Sequence, residues 1–411
     1  MKELRDYQEY NAFLAHEILS VKKIVYLSME VRTGKTVTAF ETARNGCYKN
    51  ILFLTKKKAV ASIEADYLDF GYKDIFNLTV INDESLHTVA GNYDLIIHDE
   101  HHRFGAFAKP NKIAKMFKLR FAHLPMIFLS GTPTPESYSQ IYHQFWVSNY
   151  SPFNQYQTFY IWAKSFVNIK QKHLGYATVN DYSDAKKELI DSYTQKYFVT
   201  YTQQQAGFNT TVNENILYCE MKPYTYQAAK QLKKDLVIQG TNEVILADTG
   251  VKLMQKLHQI WSGTVKFESG NSMVLDYTKA EYIYRHFENK KIGIFYKFKE
   301  ELNALKKIFC DNLTTDLEEF KETEKSIALQ IVAGREGISL SEAEYLVYYN
   351  IDFSAVSYWQ SRDRLTNMQR LDNEVFWIFA KGGIEDKIYK SVMNKKNYTL
   401  SNFKRDHNVR K

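Results

Sequence analysis

The stretch that decides the fold is IVYLSMEVRTGKT, residues 24–36. Its first five residues, IVYLS, are apolar, β-branched or aromatic, which is typical of a buried strand. The following MEVRTGKT leads into a predicted helix over residues 35–45. A strand that passes through a glycine-containing turn into a helix is the setting that a phosphate-binding loop requires. The stretch therefore predicts an α/β fold with a phosphate site at this turn.

Each residue type at the end of this turn suits a polyphosphate. Backbone N–H groups of the turn and of the helix N-terminus can surround the phosphate oxygens. Lys35 is expected to place a positive charge on the β- and γ-phosphates, and Thr36 to offer its hydroxyl to Mg²⁺. Gly34 lets the backbone approach closely, where a Cβ would clash.

The turn departs from the full phosphate-loop pattern at two positions. Met29 stands five residues before Gly34, where the pattern has glycine, and Arg32 occupies a position that is commonly small. A chance GKT is the alternative for this motif alone, and the strand–turn–helix setting favours the phosphate loop. The predicted nucleotide-binding residues of the turn are Arg32, Thr33, Gly34, Lys35 and Thr36.

Short apolar runs continue to alternate with amphipathic stretches after this turn. Further strands of the first half are predicted at 51–55, 78–82, 93–100 and 125–130. Strands that are nearly all apolar and that alternate with helices indicate a parallel sheet covered on both faces. The alternation returns near residue 275, with strands predicted at 291–298, 326–334, 344–351 and 374–380.

The stretch between these halves has a different pattern. It is rich in aromatic residues and glutamine, and only one strand-like run, at 213–221, interrupts its helical pieces. We therefore predict a first α/β lobe at 1–148, a mainly helical insert at 149–274 and a second α/β lobe at 275–411.

An acidic box ends one of the predicted strands of the first lobe. The apolar run YDLIIHDE ends in Asp99 and Glu100, and His101 and His102 follow. The carboxyl end of a parallel strand lies at the same edge of the sheet as the phosphate loop. Asp99 is expected to hold Mg²⁺, Glu100 to orient or deprotonate a water, and His102 to sense the γ-phosphate.

Two alternatives exist for this box. The acidic pair could be a solvated strand end, and the histidine pair could belong to a metal site. Adjacent histidines point to opposite sides of an extended chain, and no third ligand is spaced nearby, which disfavours the metal site.

Bulk composition limits the class of protein. A chain of 411 residues suits two domains, and its net charge of +7 favours a polyanionic partner. Three cysteines are far apart without metal spacing, and neither a signal core nor a membrane-length apolar run is present. The composition thus predicts a cytoplasmic protein with free thiols and no membrane partner.

Eight motifs in order carry a family resemblance. They are LRDYQ (4–8), MEVRTGKT (29–36), ILFLTKKK (51–58), HDEHH (98–102), SGTPTP (130–135), GIFYKF (293–298), AGREGISL (333–340) and YWQSRDRL (358–365). This series resembles that of the superfamily-two helicases. SGTPTPESYSQIYHQFW and LADTGVKLMQKLHQIWSGT make the chain most similar to the Swi/Snf-like branch, especially its small phage and bacterial members.

The resemblance implies two RecA-like, P-loop lobes that hold ATP and Mg²⁺ in a cleft, with nucleic acid across both. It implies that Gln8 reads the adenine edge, with Arg5 and Tyr7 nearby. It assigns nucleic-acid contact to Thr55 and Lys56, and coupling of the γ-phosphate to the nucleic acid to Ser130 and Thr132. In the second lobe it implies that Gly334, Glu336 and Gly337 form a turn that faces both ATP and the strand. It implies that Gln360 and Arg364 belong to the motif that closes the cleft.

The closing motif departs from the family pattern at one position. Asn367 stands where the family has a second arginine that acts as a finger on the γ-phosphate. Arg362 or Arg370 could substitute for it, and Arg364 acting alone is the third alternative.

The resemblance implies an ATP-dependent translocase on duplex or branched DNA, whose contacts are largely independent of sequence. Alternatives are an RNA-directed or strand-separating helicase, and a non-motor, nucleotide-dependent scaffold on DNA. We expect a monomer in the cytoplasm, or in the host cytoplasm if a phage encodes it. Proteins of replication, repair or recombination are the expected partners.

Overall fold

The computed structural model describes residues 2–135, 137–173, 178–207, 211–331, 340–354, 357–358, 361, 372–394 and 406. The chain divides into two compact units, Met1–Phe208 and Asn209–Lys411, here called the first and the second unit. In the described part of the chain, no helix has the length and apolar character needed to cross a bilayer.

The first unit alternates strands and helices along most of its length. Its strands are β1 (Ile24–Met29), β2 (Asn50–Thr55), β3 (Asn77–Asn82), β4 (Leu95–His98), β5 (Met126–Leu129), β6 (Lys170–His173), β7 (Thr178–Asp181) and β8 (Phe198–Tyr201). Its α-helices are α1 (Asp6–Lys22), α2 (Lys35–Asn45), α3 (Val60–Asp69), α4 (Lys112–Phe121), α5 (Ile141–Trp146), α6 (Phe159–Phe166) and α7 (Lys187–Thr194).

Six strands of the first unit form one parallel sheet in the order β3-β2-β4-β5-β1-β8. Alternate residues of β1 enter different apolar clusters: Tyr26 belongs to one, whereas Val25 and Leu27 belong to the other. Because successive side chains of a strand point to opposite faces, the sheet has a core on each side. The apolar runs of the sequence are therefore explained by burial on both faces.

The second unit contains a similar sheet. Its strands are β9 (Thr211–Cys219), β10 (Val237–Gln239), β11 (Val244–Leu246), β12 (Thr264–Lys266), β13 (Ser272–Val274), β14 (Ile292–Tyr296), β15 (Leu313–Thr314), β16 (Ser326–Gln330), β17 (Tyr345–Tyr348) and β18 (Asp372–Ala380). Its α-helices are α8 (Pro223–Asp235), α9 (Gly250–Trp261), α10 (Thr278–His286), α11 (Lys299–Phe309), α12 (Leu317–Glu322) and α13 (Glu385–Met393).

The second sheet is also six-stranded and parallel, in the order β15-β16-β14-β17-β18-β9. Its edge strand β9 pairs with β18 over nine consecutive residues, from Thr211 to Cys219. The predicted fold class, two α/β lobes built on parallel sheets, is confirmed by these two sheets.

The stretch 149–274 differs from the predicted helical insert. It is divided between the units, because β8 forms an edge of the first sheet and β9 an edge of the second. Its remaining strands form three two-stranded antiparallel pairs, β6–β7, β10–β11 and β12–β13. The boundary between units therefore falls at 208/209 and not at 148/149 and 274/275. Short strands such as FVTY and VIQ give too little period-2 pattern to separate them from helical neighbours.

The boundary at 208/209 predicts which fragments of the chain fold and unfold cooperatively. The core of the first unit includes Phe153, Trp162, Phe166 and Tyr197, all beyond residue 148. Burying each such side chain contributes about 1.5–3 kcal/mol. We expect fragment 1–208 to unfold cooperatively in urea, and fragment 1–148 to show no cooperative transition by circular dichroism. A cooperative transition of fragment 1–148 would support the boundary predicted from the sequence.

Candidate nucleotide-binding site

The predicted phosphate loop, residues 29–36, joins β1 to α2. Two of its residues have left-handed backbone conformation. Arg32 has φ of 66° and Gly34 has φ of 82°. A Cβ on Gly34 would lie 2.0 Å from Nε2 of Gln8, and the positive φ favours glycine here. The predicted close approach of this glycine to a phosphate stays a prediction. The left-handed conformation costs an L-residue such as Arg32 about 1–2 kcal/mol, which explains why the position is commonly small.

Lys35 lies at the first residue of α2 and points back over the loop. Its Nζ donates to the carbonyl oxygen of Met29 at 2.9 Å and to that of Glu30 at 3.1 Å. Met29 is fully buried as the last residue of β1. The residue that departs from the loop pattern thus anchors the loop in the core, and its carbonyl helps to hold the lysine.

The predicted adenine-reading residues pack against the same loop. Gln8 is buried, its Oε1 accepts from the backbone N–H of Arg5 at 2.9 Å, and its Nε2 lies 3.5 Å from the carbonyl oxygen of Thr33. Arg5 also donates to the hydroxyl of Tyr7 at 2.9 Å. The structure brings Gln8 to the phosphate loop, and its contact with adenine stays a prediction.

A three-residue segment that was not predicted to belong to the site also contacts this loop. We call Tyr201–Gln203, at the end of β8, the edge clamp. The backbone N–H of Glu30 donates to the carbonyl of Tyr201 at 2.9 Å. Gln203 donates through its backbone to the Glu30 carboxylate at 2.7 Å, and through its side chain to the Val31 carbonyl at 2.9 Å. Tyr201 stacks on Tyr7, with ring centroids 4.7 Å apart.

Asp99 and Glu100 follow β4 at the carboxyl edge of the first sheet. The Thr55 hydroxyl, at the end of the neighbouring β2, donates to Oδ2 of Asp99 at 2.9 Å. Burial and the adjacent Glu100 raise the pKa of Asp99 to about 6, against the lowering effect of Lys35. The structure thus places the predicted metal carboxylate beside the phosphate-loop lysine.

Glu100 has a strained backbone and an ionised side chain. Its φ is 48°, a left-handed conformation that is uncommon outside glycine and is often found at functional sites. Burial opposes ionisation, but the contact with His102 and the charges of Lys35 and Lys56 lower its pKa to about 2. Oε2 of Glu100 lies 3.2 Å from Nδ1 of His102. The carboxylate is therefore available as a hydrogen-bond acceptor across the physiological pH range.

His102 connects this carboxylate to the segment after β5. Its Nδ1 lies 2.9 Å from Oγ of Ser130, which also accepts from the backbone N–H of Thr132 at 3.1 Å. The hydroxyl of Thr132 is buried and has no hydrogen-bond partner among the described residues. A continuous polar path therefore runs from Glu100 to Thr132.

Two of the residues predicted to contact or couple to nucleic acid have buried side chains. Thr55 and Ser130 are both at most 1% exposed, and their hydroxyls bind Asp99 and His102. The hydroxyls position other site residues, and the predicted roles of Thr55 and Ser130 toward nucleic acid stay predictions. Lys56 is partly exposed, and its charge acts on Glu100 and Asp83. Nucleic-acid contact by Lys56 and Thr132 stays a prediction.

A buried polar chain lies beneath the acidic box. Nδ1 of His98 is 2.6 Å from Nδ1 of His101, and Nε2 of His98 is 3.1 Å from the Asp83 carboxylate. Nε2 of His101 is 2.8 Å from the Gln144 carbonyl, and Gln144 also accepts from the Tyr26 hydroxyl at 2.7 Å. Both histidines and Gln144 are fully buried, so these bonds satisfy groups that water cannot reach.

The partners in this chain fix where its protons lie. The Gln144 carbonyl can only accept, so His101 carries hydrogen on Nε2, and burial together with His98 keeps the pKa of His101 well below its usual range. Neutral His101 can then accept at Nδ1 from Nδ1 of His98. The Asp83 carboxylate lies 3.1 Å from Nε2 of His98 and also pairs with Arg103. Burial opposes ionisation of Asp83, but His98, Arg103 and Lys56 lower its pKa.

Protein donors for Mg²⁺ at this edge are all oxygens. Thr36 follows Lys35 in the first turn of α2, and Asp99 is held by the Thr55 hydroxyl. Mg²⁺ prefers oxygen ligands and is commonly bound by one or two carboxylates together with substrate phosphates and water. A threonine hydroxyl with one carboxylate therefore fits the predicted magnesium site.

The predicted site residues of the second lobe lie outside the described residues. They are Gly334, Glu336, Gly337, Gln360, Arg362, Arg364, Asn367 and Arg370. Their roles, including the identity of the arginine finger, stay predictions from the sequence.

The edge clamp predicts a residue that affects nucleotide affinity. Gln203→Ala removes the side-chain bond to the Val31 carbonyl, worth about 0.5–1.5 kcal/mol. We expect it to weaken binding of a fluorescent ATP analogue by up to about tenfold. Gln204→Ala is the matched control, because Gln204 is exposed and no side-chain bond to the loop involves it. Equal affinities of the two variants would contradict a role of the clamp.

The buried Asp83 predicts a pH-dependent contribution to stability. Because its folded-state pKa is lowered, its contribution is present above about pH 4 and is lost as the pH falls through the folded-state pKa. Asp83→Asn removes the buried carboxylate that pairs with Arg103 and contacts His98, and should cost about 3–5 kcal/mol at pH 7. Urea unfolding from pH 7 to pH 3 should show this difference shrinking toward acid. The exposed Asp74→Asn serves as control, and a pH-independent difference would contradict the assignment.

Comparison with known proteins gives the following result. No family model matches the chain, and no curated protein matches it in sequence. Among solved structures it is similar to the Sulfolobus solfataricus SWI2/SNF2 ATPase core in complex with dsDNA, at 16% identity and a TM-score of 0.43, covering 98% of this chain and 92% of that chain. It is also similar to the Sulfolobus solfataricus SWI2/SNF2 ATPase core domain, at 16% identity and a TM-score of 0.43, covering 96% and 89%. At this identity and TM-score, the fold assignment rests on the strand order and register of the two sheets.

Proposed function

We propose that this chain is an ATP-dependent DNA translocase, which couples ATP hydrolysis to movement on duplex or branched DNA. The observation that carries the proposal is the assembly of Lys35, Asp99 and Glu100 at one edge of the first sheet. The Lys35 charge lowers the pKa of both carboxyl groups, so its ammonium acts on both members of the pair. A phosphate-binding lysine beside a metal carboxylate and a water-orienting carboxylate is the arrangement that phosphoryl transfer to water requires.

Each residue of this group has a separate task in hydrolysis. Lys35 neutralises charge on the β- and γ-phosphates, and Thr36 with Asp99 would hold Mg²⁺. Mg²⁺, when bound, would neutralise charge that develops on the phosphates. Glu100 accepts a hydrogen bond from the attacking water. The contact with His102 and the charge of Lys35 hold the pKa of Glu100 below its usual range, so the carboxylate is ionised and can orient the water.

Coupling to the nucleic acid follows the polar path from Glu100 to Thr132. Loss of the γ-phosphate changes the charge that Glu100 faces, and His102 bridges that carboxylate and Ser130. Ser130 in turn accepts from the backbone of Thr132. Ser130 is bonded to the acidic box through His102, and Thr132 is bonded to Ser130. Both lie on the segment to which the family resemblance assigns coupling.

DNA is supported as the partner by charge. The chain has a net charge of +7, and phosphate contacts by lysine carry no sequence information. The choice of DNA over RNA, movement without strand separation and the similarity to phage and bacterial members rest on the motif resemblance. The monomeric state, the cytoplasmic location and partners in replication, repair or recombination also stay predictions.

The second candidate function is a nucleotide-dependent scaffold on DNA. Asn367 favours it, because a missing arginine finger would leave charge on the γ-phosphoryl group without its cation. A scaffold would bind ATP and DNA but would not turn over ATP faster on DNA.

Steady-state ATP hydrolysis with and without duplex DNA separates these functions. We expect DNA to raise the rate several-fold in the wild type. Glu100→Gln should abolish turnover and retain binding of the ATP analogue, because it removes the acceptor carboxylate without removing a phosphate contact. Glu64→Gln on α3 is the control, since this glutamate is exposed and is not among the predicted site residues. Equal wild-type rates with and without DNA would exclude the motor, and parallel assays on single-stranded, forked and RNA substrates would identify the preferred nucleic acid.

A further inference from the structure

A basic surface of the first unit lies on α4, outside the nucleotide-binding site. Residues 101–135 contain no aspartate or glutamate but include six lysines and arginines. Four of them, Lys109, Lys112, Lys115 and Lys118, recur every third residue. We call these four lysines together with His123 the α4 basic surface. Lys109, Lys112, Lys115 and His123 are exposed, and Lys118 is partly buried.

The other two cations of this stretch are already used within the fold. Arg103 pairs with Asp83 and Glu84. Arg120 donates to the carbonyl oxygens of Leu86 and Val89. In contrast, none of the four lysines of the α4 basic surface forms an ion pair with a carboxylate of the described residues. Their charge is therefore free to act on an external anion.

Lys118 is the least solvated member of this surface. Its Nζ lies 4.0 Å from the ring centroid of Trp146, and burial alone lowers its pKa. The Lys118 ammonium has lost part of its hydration and contacts an aromatic ring. It has no carboxylate counter-ion among the described residues. It lines a cavity of about 430 Å³ together with Lys115, Leu119, Ala122, His123 and Asn149. Cationic and amide donors therefore converge on one concavity.

The position of α4 separates this surface from the phosphate loop. The chain passes from β4 through α4 to β5, and β4 and β5 are parallel neighbours. A helix in such a connection runs back from the carboxyl edge of the sheet to its amino edge. The cavity is formed by the C-terminal half of α4 and by residues that follow it, so it lies toward the edge opposite Lys35 and Asp99.

We propose that the α4 basic surface binds the phosphate backbone of duplex DNA, as a contact additional to those of the motif segments. The inference rests on the proposed function and names a surface for its substrate. Lys112 to Lys118 extend about 9 Å along the helix, at about 1.5 Å per residue. Duplex DNA presents about one charge per 1.7 Å, so about five phosphates lie within that length.

An acidic protein segment is the competing partner, and the composition of the surface disfavours it. Lysine is depleted at protein–protein interfaces, whose centres are usually aromatic or apolar. Here Leu119 is the one strongly exposed large apolar residue described on α4, at 86% exposure, amid a row of lysines. Contacts by lysine to phosphate need no apolar anchor and tolerate any base sequence.

The salt dependence of DNA binding tests the proposal. Lys112→Gln with Lys115→Gln removes two exposed cations and keeps residues of good helix propensity. The affinity for a fluorescent duplex is measured by anisotropy from 50 to 200 mM salt. Each lost phosphate contact lowers the slope of log affinity against log salt by about 0.9, so the double variant should lose about 1.8. Thermal unfolding of the variant checks that its fold is retained.

Lys230→Gln with Lys234→Gln on α8 is the control of equal charge, because both residues are exposed. It should keep the wild-type slope within about half of one phosphate contact. An unchanged slope in the α4 double variant, or an equal loss in both double variants, would overturn the α4 assignment. Absence of duplex binding by the wild type would instead overturn the proposed function itself, and with it this inference. Preferential capture of a polyglutamate peptide by the wild type over the α4 variant, without any effect on duplex binding, would identify an acidic protein as the partner.

Discussion

The parallel direction of β1, β2, β4 and β5 is the constraint on which the candidate site depends. Because these strands end at one edge of the sheet, residues far apart in sequence meet there without a dedicated binding domain. Lys35 follows β1, Asp99 and Glu100 follow β4, and the Ser130 segment follows β5. The same direction requires covering helices on both faces, which is why the strands are nearly all apolar. Chemistry at this edge and burial of the sheet are two results of one topology.

Polar side chains at the ends of buried strands lose hydration, and hydrogen bonds to neighbouring residues offset that loss. His98 ends an apolar strand, and it is stable there because Asp83 and His101 satisfy both of its nitrogens. Glu100 has left-handed backbone at the turn that follows. Such strain persists where neighbouring contacts fix the conformation, and the contact of Glu100 with His102 is of that kind. The support for the site therefore extends from the carboxylates into the core of the unit.

How much could be predicted from the sequence depended on the range of the interaction. The core strands followed from apolar runs, and the turn that contains Gly34 followed from the strand–turn–helix spacing. The pairing of Gln203 with the phosphate loop could not, because these residues are more than 170 positions apart and a single glutamine in a loop carries no signal. The bond from the Thr55 hydroxyl to Asp99 could not be predicted either, because it depends on the parallel pairing of β2 with β4. The strand β8 was missed because four residues are too few for a periodic pattern.

The edge clamp has a mechanical consequence that follows from its place in the chain. Gln203 stands five residues before the end of the first unit at Phe208, on the stretch by which the polypeptide continues into the second unit. Tension on the chain there would pass through the hydrogen-bonded turn at residues 202–207 before it reached the bonds that hold Glu30 and Val31. The edge clamp would therefore transmit force from the connecting chain to the predicted phosphate loop. Force on the connecting chain and affinity for the nucleotide would then depend on the same few hydrogen bonds.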